Sequence, residues 1–238
     1  MHTYAATDVG RRRDHNEDAV LTTALAENTQ LLAVADGMGG HNAGEIASEA
    51  ALDSVQSFVE STWTPEEDDG SLLRTAAQNA NSSLTERAAA DPELDGMGTT
   101  LVAAILSESS ATIVNVGDSR AYHVTGRTIE QLTVDHSLVQ ELINSGDLSP
   151  SAATDHPQRN VITQSLGPSG SIDPDVYTAE LTGTLLLCSD GLTEELPDSE
   201  IRHLVQGATD IEQAARDLVE AANQNGGEDN ISVVLAVE

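Results

Sequence analysis

The chain has 238 residues, enough for one large domain or two small ones, and carries 40 acidic against 10 basic residues, a formal net charge of −30. This charge argues against binding to nucleic acid or anionic lipid, since both require clustered basic side chains. Apolar periodicity throughout the chain argues against disorder, and with 2% aromatic residues the core must consist mainly of Ala, Val, Leu and Ile.

The acidic excess also predicts the solvent in which the protein works. All 10 basic residues are arginine, and a compact chain of this charge repels itself at low ionic strength. At about 1 M salt the screening length falls to about 3 Å, so surface carboxylates no longer repel one another. We therefore expect a folded protein from a halophile, adapted to high salt.

Short apolar strands and amphipathic helices follow one another along the chain. Strands are predicted over residues 18–25, 30–35, 99–106, 112–116, 120–124, 175–181, 184–189 and 231–237. Helices are predicted over residues 43–61, 71–90, 137–145 and 209–222, the last two starting at capping boxes on Ser137 and Thr209. Strands such as LLLCS are apolar on both faces and must be covered on both sides.

The order of these elements predicts the fold class. Short turns join consecutive strands, which favours antiparallel pairing, and the long helices come in pairs rather than after each strand. The pattern therefore favours an α+β fold, a four-layer α/β/β/α sandwich of two antiparallel β-sheets flanked by helix pairs.

Five aspartates lie where buried strands end or begin. Asp36, Asp118 and Asp190 follow apolar strands, and Asp18 and Asp229 precede them. A single Asp-Gly pair usually marks only a turn, but unpaired charges at the ends of buried strands are costly, and 10 arginines cannot neutralise 40 acids. The set therefore predicts a site for a hard divalent ion, Mg²⁺ or Mn²⁺, because such ions prefer oxygen ligands.

A basic run, RRRDHNED, precedes the first of these strands. Arg13 lies four residues before Glu17, and a guanidinium beside a carboxylate cluster can bind a phosphate through two hydrogen bonds. The alternative, which the spacing leaves open, is that Arg11 to Arg13 only offset the neighbouring acids.

Six motifs occur in the order that is typical of one enzyme family. They are Arg13-x-x-x-Glu17-Asp18, ADGMGGH (35–41), GTT (98–100), VGDSR (116–120), SDGL (189–192) and GEDNIS (227–232). Together they resemble the metal-dependent serine/threonine protein phosphatases of type 2C, in their compact prokaryotic form. The resemblance covers essentially the whole chain and implies one catalytic domain over residues 1–238 with the sandwich fold.

The resemblance also implies two Mn²⁺ or Mg²⁺ ions at the strand ends. Asp36 would bridge both ions. Glu17 and the carbonyl of Gly37 would serve one of them, and Asp190 and Asp229 would serve the other. A hydroxide that bridges the ions would then attack the phosphorus of phosphoserine or phosphothreonine.

Further residues of the motifs receive roles from the same resemblance. Asp18 would hold metal-bound water, and Asp118 with Asp190 would match a third ion site of prokaryotic members. Arg13 would bind the phosphate. Segment 145–160 would form a flap beside the site.

The sequence departs from the family at the proton donor. In members from higher organisms a histidine directly follows the Asp-Gly pair and is proposed to protonate the leaving alkoxide, whereas here Met38 occupies that position. His41 is the candidate donor, with a purely structural role as the alternative. His15, His136 and His156 are no better placed by sequence.

The implied partners are phosphorylated proteins and a cognate protein kinase, with a monomeric enzyme and no nucleic acid or membrane. A cytoplasmic location is expected, because no apolar segment of about 18 residues is present and Cys188 is the only cysteine. Two alternatives remain open. One is a non-catalytic phosphatase-like regulatory or sensor module that binds a phosphorylated partner. The other is a partner-switching phosphatase that acts on one anti-sigma-antagonist-type protein.

Overall fold

A computed structural model of the protein describes residues 1–40, 43–153, 156–167 and 170–237. The strands are β1 (His2–Asp8), β2 (Asp18–Ala26), β3 (Thr29–Met38), β4 (Gly98–Thr99), β5 (Leu101–Ser107), β6 (Ser110–Val116), β7 (Arg120–Val124), β8 (Ile129–Gln131), β9 (Asp175–Glu180), β10 (Thr184–Cys188) and β11 (Ile231–Val237). The helices are α1 (Ala43–Thr62), α2 (Asp69–Ala90), α3 (Leu138–Ser145), α4 (Pro150–Ala153), α5 (Asp190–Thr193), α6 (Asp198–Gly207) and α7 (Ile211–Asn225).

The strands form two antiparallel sheets. The first has the order β1-β11-β10-β7-β8, and the second has the order β2-β3-β5-β6-β9, with β4 paired to β3. Every pairing of these strands is antiparallel, as the short connecting turns predict.

The central strands explain why their sequences are apolar on both faces. In β3, Leu32 and Val34 point into a core between the two sheets, while Leu31, Ala33 and Ala35 point into a second core beneath α1 and α2. A third core lies between the first sheet and the pair α6 and α7. Successive side chains of a strand alternate between faces, so each strand serves two cores. The predicted four-layer α/β/β/α sandwich is confirmed.

Several elements differ from the sequence prediction. Strands β1 and β8 and helix α6 were not predicted, because HTYAATD and IEQ are short and weakly patterned and α6 buries only Ile201 and Val205 fully. The predicted cap on Ser137 is confirmed by a hydrogen bond from the Gln140 amide at 3.3 Å. The predicted cap on Thr209 is wrong, because the Gln213 amide donates to Asp210 Oδ1 at 2.9 Å. Within the described ranges, no helix combines the length and apolar character that crossing a membrane requires.

Candidate active site

The ends of β2 and β3 bring two of the predicted carboxylates side by side. Asp18 lies directly opposite Asp36 in the antiparallel register, which places both side chains on the same face of the sheet. Thr99 and Thr100 of the GTT motif hold the Asp36 backbone in place. The Asp36 amide donates to Thr100 Oγ1 at 3.0 Å, and its carbonyl accepts from Thr99 Oγ1 at 2.9 Å and from the Thr100 amide at 2.9 Å. Three hydrogen bonds to its backbone therefore hold Asp36 in place.

Glu17 lies against the start of α1, where hydrogen bonds hold its carbonyl group in place. The Gly37 amide donates to the Glu17 carbonyl at 3.1 Å, and Ser48 Oγ donates to the same carbonyl at 2.6 Å. A Cβ atom at Gly44 would lie 2.7 Å from Glu17 Oε1, so glycine is needed there for the helix to approach the carboxylate. The Glu17 amide donates to Asn230 Oδ1 at 2.8 Å, which ties this loop to the other sheet.

Asp190 and Asp229 come from two neighbouring strands of the first sheet. Asp190 begins α5 just after β10, and Asp229 lies just before β11, which pairs with β10. Ser189 joins these ends, since its amide donates to the Ser232 carbonyl and its hydroxyl oxygen accepts from the Ser232 amide, both at 3.0 Å. The Ser189 hydroxyl also donates to Asp18 Oδ2 at 2.8 Å. This bond connects Ser189, which follows β10 in the first sheet, with Asp18, which begins β2 in the second sheet.

Four carboxylates form what we call the inner carboxylates: Asp18, Asp36, Asp118 and Asp190. Burial raises the pKa of Asp18 to about 7 and that of Asp190 to about 6. The pKa values of Asp36 and Asp118 lie well above the usual range, first because of burial and then because of nearby carboxylates, Asp18 for Asp36 and Asp190 for Asp118. The inner carboxylates are therefore close enough for the charge of one to raise the pKa of another.

Three of the inner carboxylates carry an unused acceptor. Oδ1 of Asp18, of Asp118 and of Asp190 is buried and has no hydrogen-bond partner among the residues that the structure describes. A buried carboxylate oxygen without a partner is costly and marks a place where a cation or water is expected.

Arg13 and Asp229, which we call the outer pair, are arranged differently. Arg13 Nη2 donates to Asp229 Oδ2 at 2.6 Å, and the Asn230 amide donates to Asp229 Oδ1 at 2.8 Å. The two side chains are 50% and 29% exposed. Burial raises the pKa of Glu17, and the Arg13 charge partly counters that effect. Arg13 is therefore a cation at the open edge of the acidic centre.

The described residues do not form a closed set of ion ligands as they stand. In those parts of the chain, no three His, Cys, Asp or Glu side chains meet closely enough to hold one ion. The donor chemistry nevertheless fits a hard divalent ion, because the acidic oxygens are buried, unpartnered and mutually repelling. An ion would relieve that repulsion and draw the side chains together.

A cavity of about 370 Å³ opens beside the centre, between Asp118 and Asp190 on one side and α3 and α4 on the other. Part of the predicted flap contributes to it, through Pro150, Ala153, Arg159 and Asn160. Arg159 Nε lies 3.7 Å from Glu194 Oε1 across this space. The expected flap segment thus borders the candidate site in its described part.

The remaining predicted residues have different outcomes. Gly37, whose carbonyl is a predicted ligand, is buried at the end of β3, next to Asp36. His41 lies outside the described residues. Cys188 is buried in β10, and burial raises the pKa of its thiol to about 12, so it is not a thiolate nucleophile.

Sequence reasoning missed the residues that position the carboxylates. Ser189 and Asn230 belong to the motifs SDGL and GEDNIS. The motifs indicated that these segments lie at the site, but not that these two residues position the carboxylates. Thr99 and Thr100 were noted only as part of GTT. Ser48 carried no signal, because a serine within a helix has no pattern that predicts a contact with a distant loop.

Comparisons with known proteins identify the family to which this chain is similar. The family model described as protein phosphatase 2C matches residues 9–236. The serine/threonine phosphatase stp of Listeria welshimeri is 42% identical over an alignment of 240 positions, which covers 99% of this chain and 95% of that protein. The crystal structure of the serine/threonine phosphatase Stp1 from Staphylococcus aureus superposes with a TM-score of 0.93 and 41% identity, over 99% of this chain and 94% of that one. The catalytic domain of the phosphatase PstP, in complex with two manganese ions, superposes with a TM-score of 0.86 and 33% identity, over 98% and 96% of the two chains.

Proposed function

This chain belongs to the protein phosphatase 2C family, and we propose that it hydrolyses phosphoserine and phosphothreonine in proteins with the help of divalent ions. The observation that carries the proposal is the group of inner carboxylates, with three buried oxygens that lack a partner in the described part of the chain. The match to phosphatases over nearly the whole chain favours an enzyme over the non-catalytic module.

The proposed ligands are the carboxylates at the ends of the strands and the carbonyl of Gly37. Asp36 would bridge two Mn²⁺ or Mg²⁺ ions, since its position opposite Asp18 puts it among the other acids. Glu17 and Gly37 would serve the first ion, and Asp190 and Asp229 the second. Support for two ions comes from the manganese complex of PstP.

Asp118 is proposed to serve a third ion together with Asp190. Both residues line the same cavity, each keeps a buried Oδ1 without a partner, and the charge of Asp190 contributes to the raised pKa of Asp118. Whether the protein binds two or three ions therefore depends on whether this third position fills.

Divalent ions, when bound, would make water a nucleophile near neutral pH and neutralise phosphoryl oxygens. The protein's own groups would orient the reaction. Asp18 is held by Ser189 through Oδ2, and its Oδ1, which has no partner among the described residues, would accept a hydrogen bond from water. Arg13 uses one nitrogen on Asp229, so its other N–H groups remain available to a phosphate at the open edge.

The test is phosphate release from phosphoserine and phosphothreonine peptides with Mn²⁺, with Mg²⁺ and with EDTA. Turnover that requires the ion and disappears in EDTA is expected. A protein that binds phosphopeptide without turnover under every ion would be the regulatory module instead. Ion titration of the wild type and of Asp118→Asn then counts the ions, with one fewer expected in the variant.

We further propose phosphoproteins and a cognate protein kinase as partners in signalling, and a monomeric enzyme in the cytoplasm, where ATP for the kinase is available. The free, buried Cys188 is compatible with a reducing compartment. Cell fractionation and size-exclusion chromatography with light scattering check location and oligomeric state. His41 remains a proposed proton donor, and His41→Gln should then slow esters with poor leaving groups more than p-nitrophenyl phosphate.

The net charge of −30 supports the proposal that this enzyme is halophilic and adapted to high salt. Screening at high ionic strength removes repulsion among surface carboxylates and should stabilise the fold. The midpoint of thermal unfolding should rise between about 0.1 M and about 3 M KCl. Equal midpoints across that range would exclude the adaptation.

A further inference from the structure

His136 occupies a junction between the candidate site and the segment that returns from the flap. Its main-chain amide donates to the Gly117 carbonyl at 2.9 Å, and its own carbonyl accepts from the Thr163 amide at 2.8 Å. The side chain is 14% exposed. Gly117 directly precedes Asp118, so His136 contacts the peptide that carries a proposed ligand.

The imidazole ring contacts the amide group of the same residue, Gly117. The Gly117 amide donates to His136 Nδ1 at 3.1 Å, and Gln164 Nε2 lies 2.9 Å from the same nitrogen. A backbone amide can only donate, so Nδ1 accepts and the ring proton lies on Nε2. Nε2 then donates to Asp175 Oδ2 at 3.1 Å.

Asp175 is itself held in place at the start of β9. Tyr177 Oη donates to Asp175 Oδ2 at 3.1 Å, and the Val134 amide donates to Tyr177 Oη at 3.2 Å. The acceptor for Nε2 is therefore fixed by neighbouring groups, which also fixes the ring orientation.

Gly117 needs this support because its backbone is unusual. Its φ is +109°, a conformation that favours glycine, and an added Cβ atom would lie 2.7 Å from Thr100 Cγ2. Thr100 in turn accepts the hydrogen bond from the Asp36 amide. The Gly117 turn thus packs against the residue that holds Asp36, and both of its backbone polar groups bond to His136.

We propose that His136 is a positioning residue for Asp118, which fixes the Gly117 turn and couples it to the return segment of the flap at Thr163 and Gln164. This inference rests on the proposed role of Asp118 as a ligand of the third ion. Residues that orient ion ligands through hydrogen bonds commonly change ion affinity about 10- to 100-fold when they are replaced. His136 would act on the affinity of the third ion and leave the two-ion centre unchanged.

Two substitutions separate this role from simple packing. In His136→Asn, the side-chain oxygen can take the place of Nδ1 and keep the bond from the Gly117 amide. In His136→Gln, the side-chain amide can take the place of Nε2 and keep the contact with Asp175, but the acceptor for Gly117 is lost. Both variants lose the ring, so a packing role predicts similar effects.

The readout is Mn²⁺ binding by isothermal titration calorimetry without substrate, with thermal unfolding in EDTA as the folding control. We expect His136→Gln to weaken, by about tenfold, the binding of the Mn²⁺ ion that is lost in Asp118→Asn. The affinity of His136→Asn for that ion should stay within about threefold of the wild type. Equal losses in both variants, or no loss in His136→Gln, would overturn the inference while the ligand role of Asp118 stands.

Asp118→Asn measured in parallel identifies which idea fails. If that variant leaves every Mn²⁺ class intact, Asp118 is not a ligand, and the third-ion proposal fails together with the positioning role. If His136→Gln does not fold, Asp175→Ala provides a second variant, since it frees the ring to move its proton to Nδ1. A loss confined to the third-ion class is then expected, and no loss would contradict the inference.

Discussion

Asp229 and the inner carboxylates carry the same chemical group in different surroundings. Both oxygens of Asp229 accept hydrogen bonds, one from Arg13 and one from the Asn230 amide. By contrast, Asp18, Asp118 and Asp190 each keep one buried oxygen without a partner. The outer pair contains its own cation, whereas the inner carboxylates lie close to further acids.

This difference assigns separate tasks to the two regions. A buried group of like charges is unstable until cations enter, so the inner carboxylates depend on ions for their charge state. An exposed arginine that already pairs with one carboxylate needs no ion to remain in place and can turn N–H groups toward an anionic ligand. In the proposed reaction, the ions and Arg13 would both supply positive charge to the phosphate.

The largest expected effect comes from neutralising the central inner carboxylate. Asp36→Asn should lower phosphatase activity on the order of 10³-fold, because the ion-bridging ligand is lost and several kcal/mol of charge stabilisation go with it. The variant should remain folded, because the backbone of Asp36 keeps its hydrogen bonds to Thr99 and Thr100. Hydrolysis of p-nitrophenyl phosphate measures the activity, and circular dichroism shows whether the variant is folded.

Asp53→Asn is the matched control, an exposed acid on α1 whose replacement should leave activity unchanged. Full activity in Asp36→Asn would mean that the inner carboxylates are not the catalytic centre.

The next effect tests the outer pair. Arg13→Ala should reduce kcat/KM for a phosphopeptide by about 10- to 100-fold, since a charge-assisted hydrogen bond to the phosphate contributes about 1.5 to 3 kcal/mol. Mn²⁺ affinity should change less than substrate affinity. Steady-state kinetics at saturating Mn²⁺ and calorimetry separate the two quantities.

Arg12→Ala removes the same charge from a neighbouring exposed position and should have a smaller effect on kcat/KM. If the two variants behave alike, Arg13 contributes only general electrostatic attraction.

A third effect concerns pH in the absence of ions. The folded pKa of Asp18 is about 7 and its ordinary value is 3.8, so the folded state holds its proton to a higher pH than the unfolded state. Unfolding therefore releases a proton between those values, and the free energy of unfolding falls as pH rises from about 4 to about 7, then levels off.

Urea unfolding in EDTA at a series of pH values measures this slope. Asp18→Asn should remove about 1 to 2 kcal/mol of the decline, a discounted value because the inner carboxylates titrate together. An Asp18→Asn variant with the same slope as the wild type would show that the charge of Asp18 is already compensated without ions.

The smallest effect comes from the bond that joins the two sheets. Ser189→Ala removes the donor to Asp18 Oδ2 and the acceptor of the Ser232 amide, and should weaken Mn²⁺ binding up to about tenfold. Ser82→Ala is the control, because that hydroxyl donates to a carbonyl of its own helix, that of Gln78. Unchanged Mn²⁺ affinity in Ser189→Ala would show that Asp18 needs no such support.

Two strands show what sequence patterns can and cannot predict. The strand LLAVAD was predicted with its carboxylate at the end. The structure shows two cores on its two faces, and it places Asp36 inside β3, two residues before the strand ends at Met38. The strand HTYAATD was missed, because its place in the sheet comes from pairing with β11 at the far end of the chain. Local periodicity cannot report a partner more than 220 residues away.

By itself, the sequence determined the four-layer class, the strand-end aspartates and the family, because apolar alternation and short motifs are local properties of the chain. Only the tertiary structure decided that Asp18 lies opposite Asp36, that Ser189 joins the two sheets, and that His136 supports the turn before Asp118. These contacts join residues from separate strands and loops. Their geometry depends on strand register and sheet packing, which no single segment of the chain encodes.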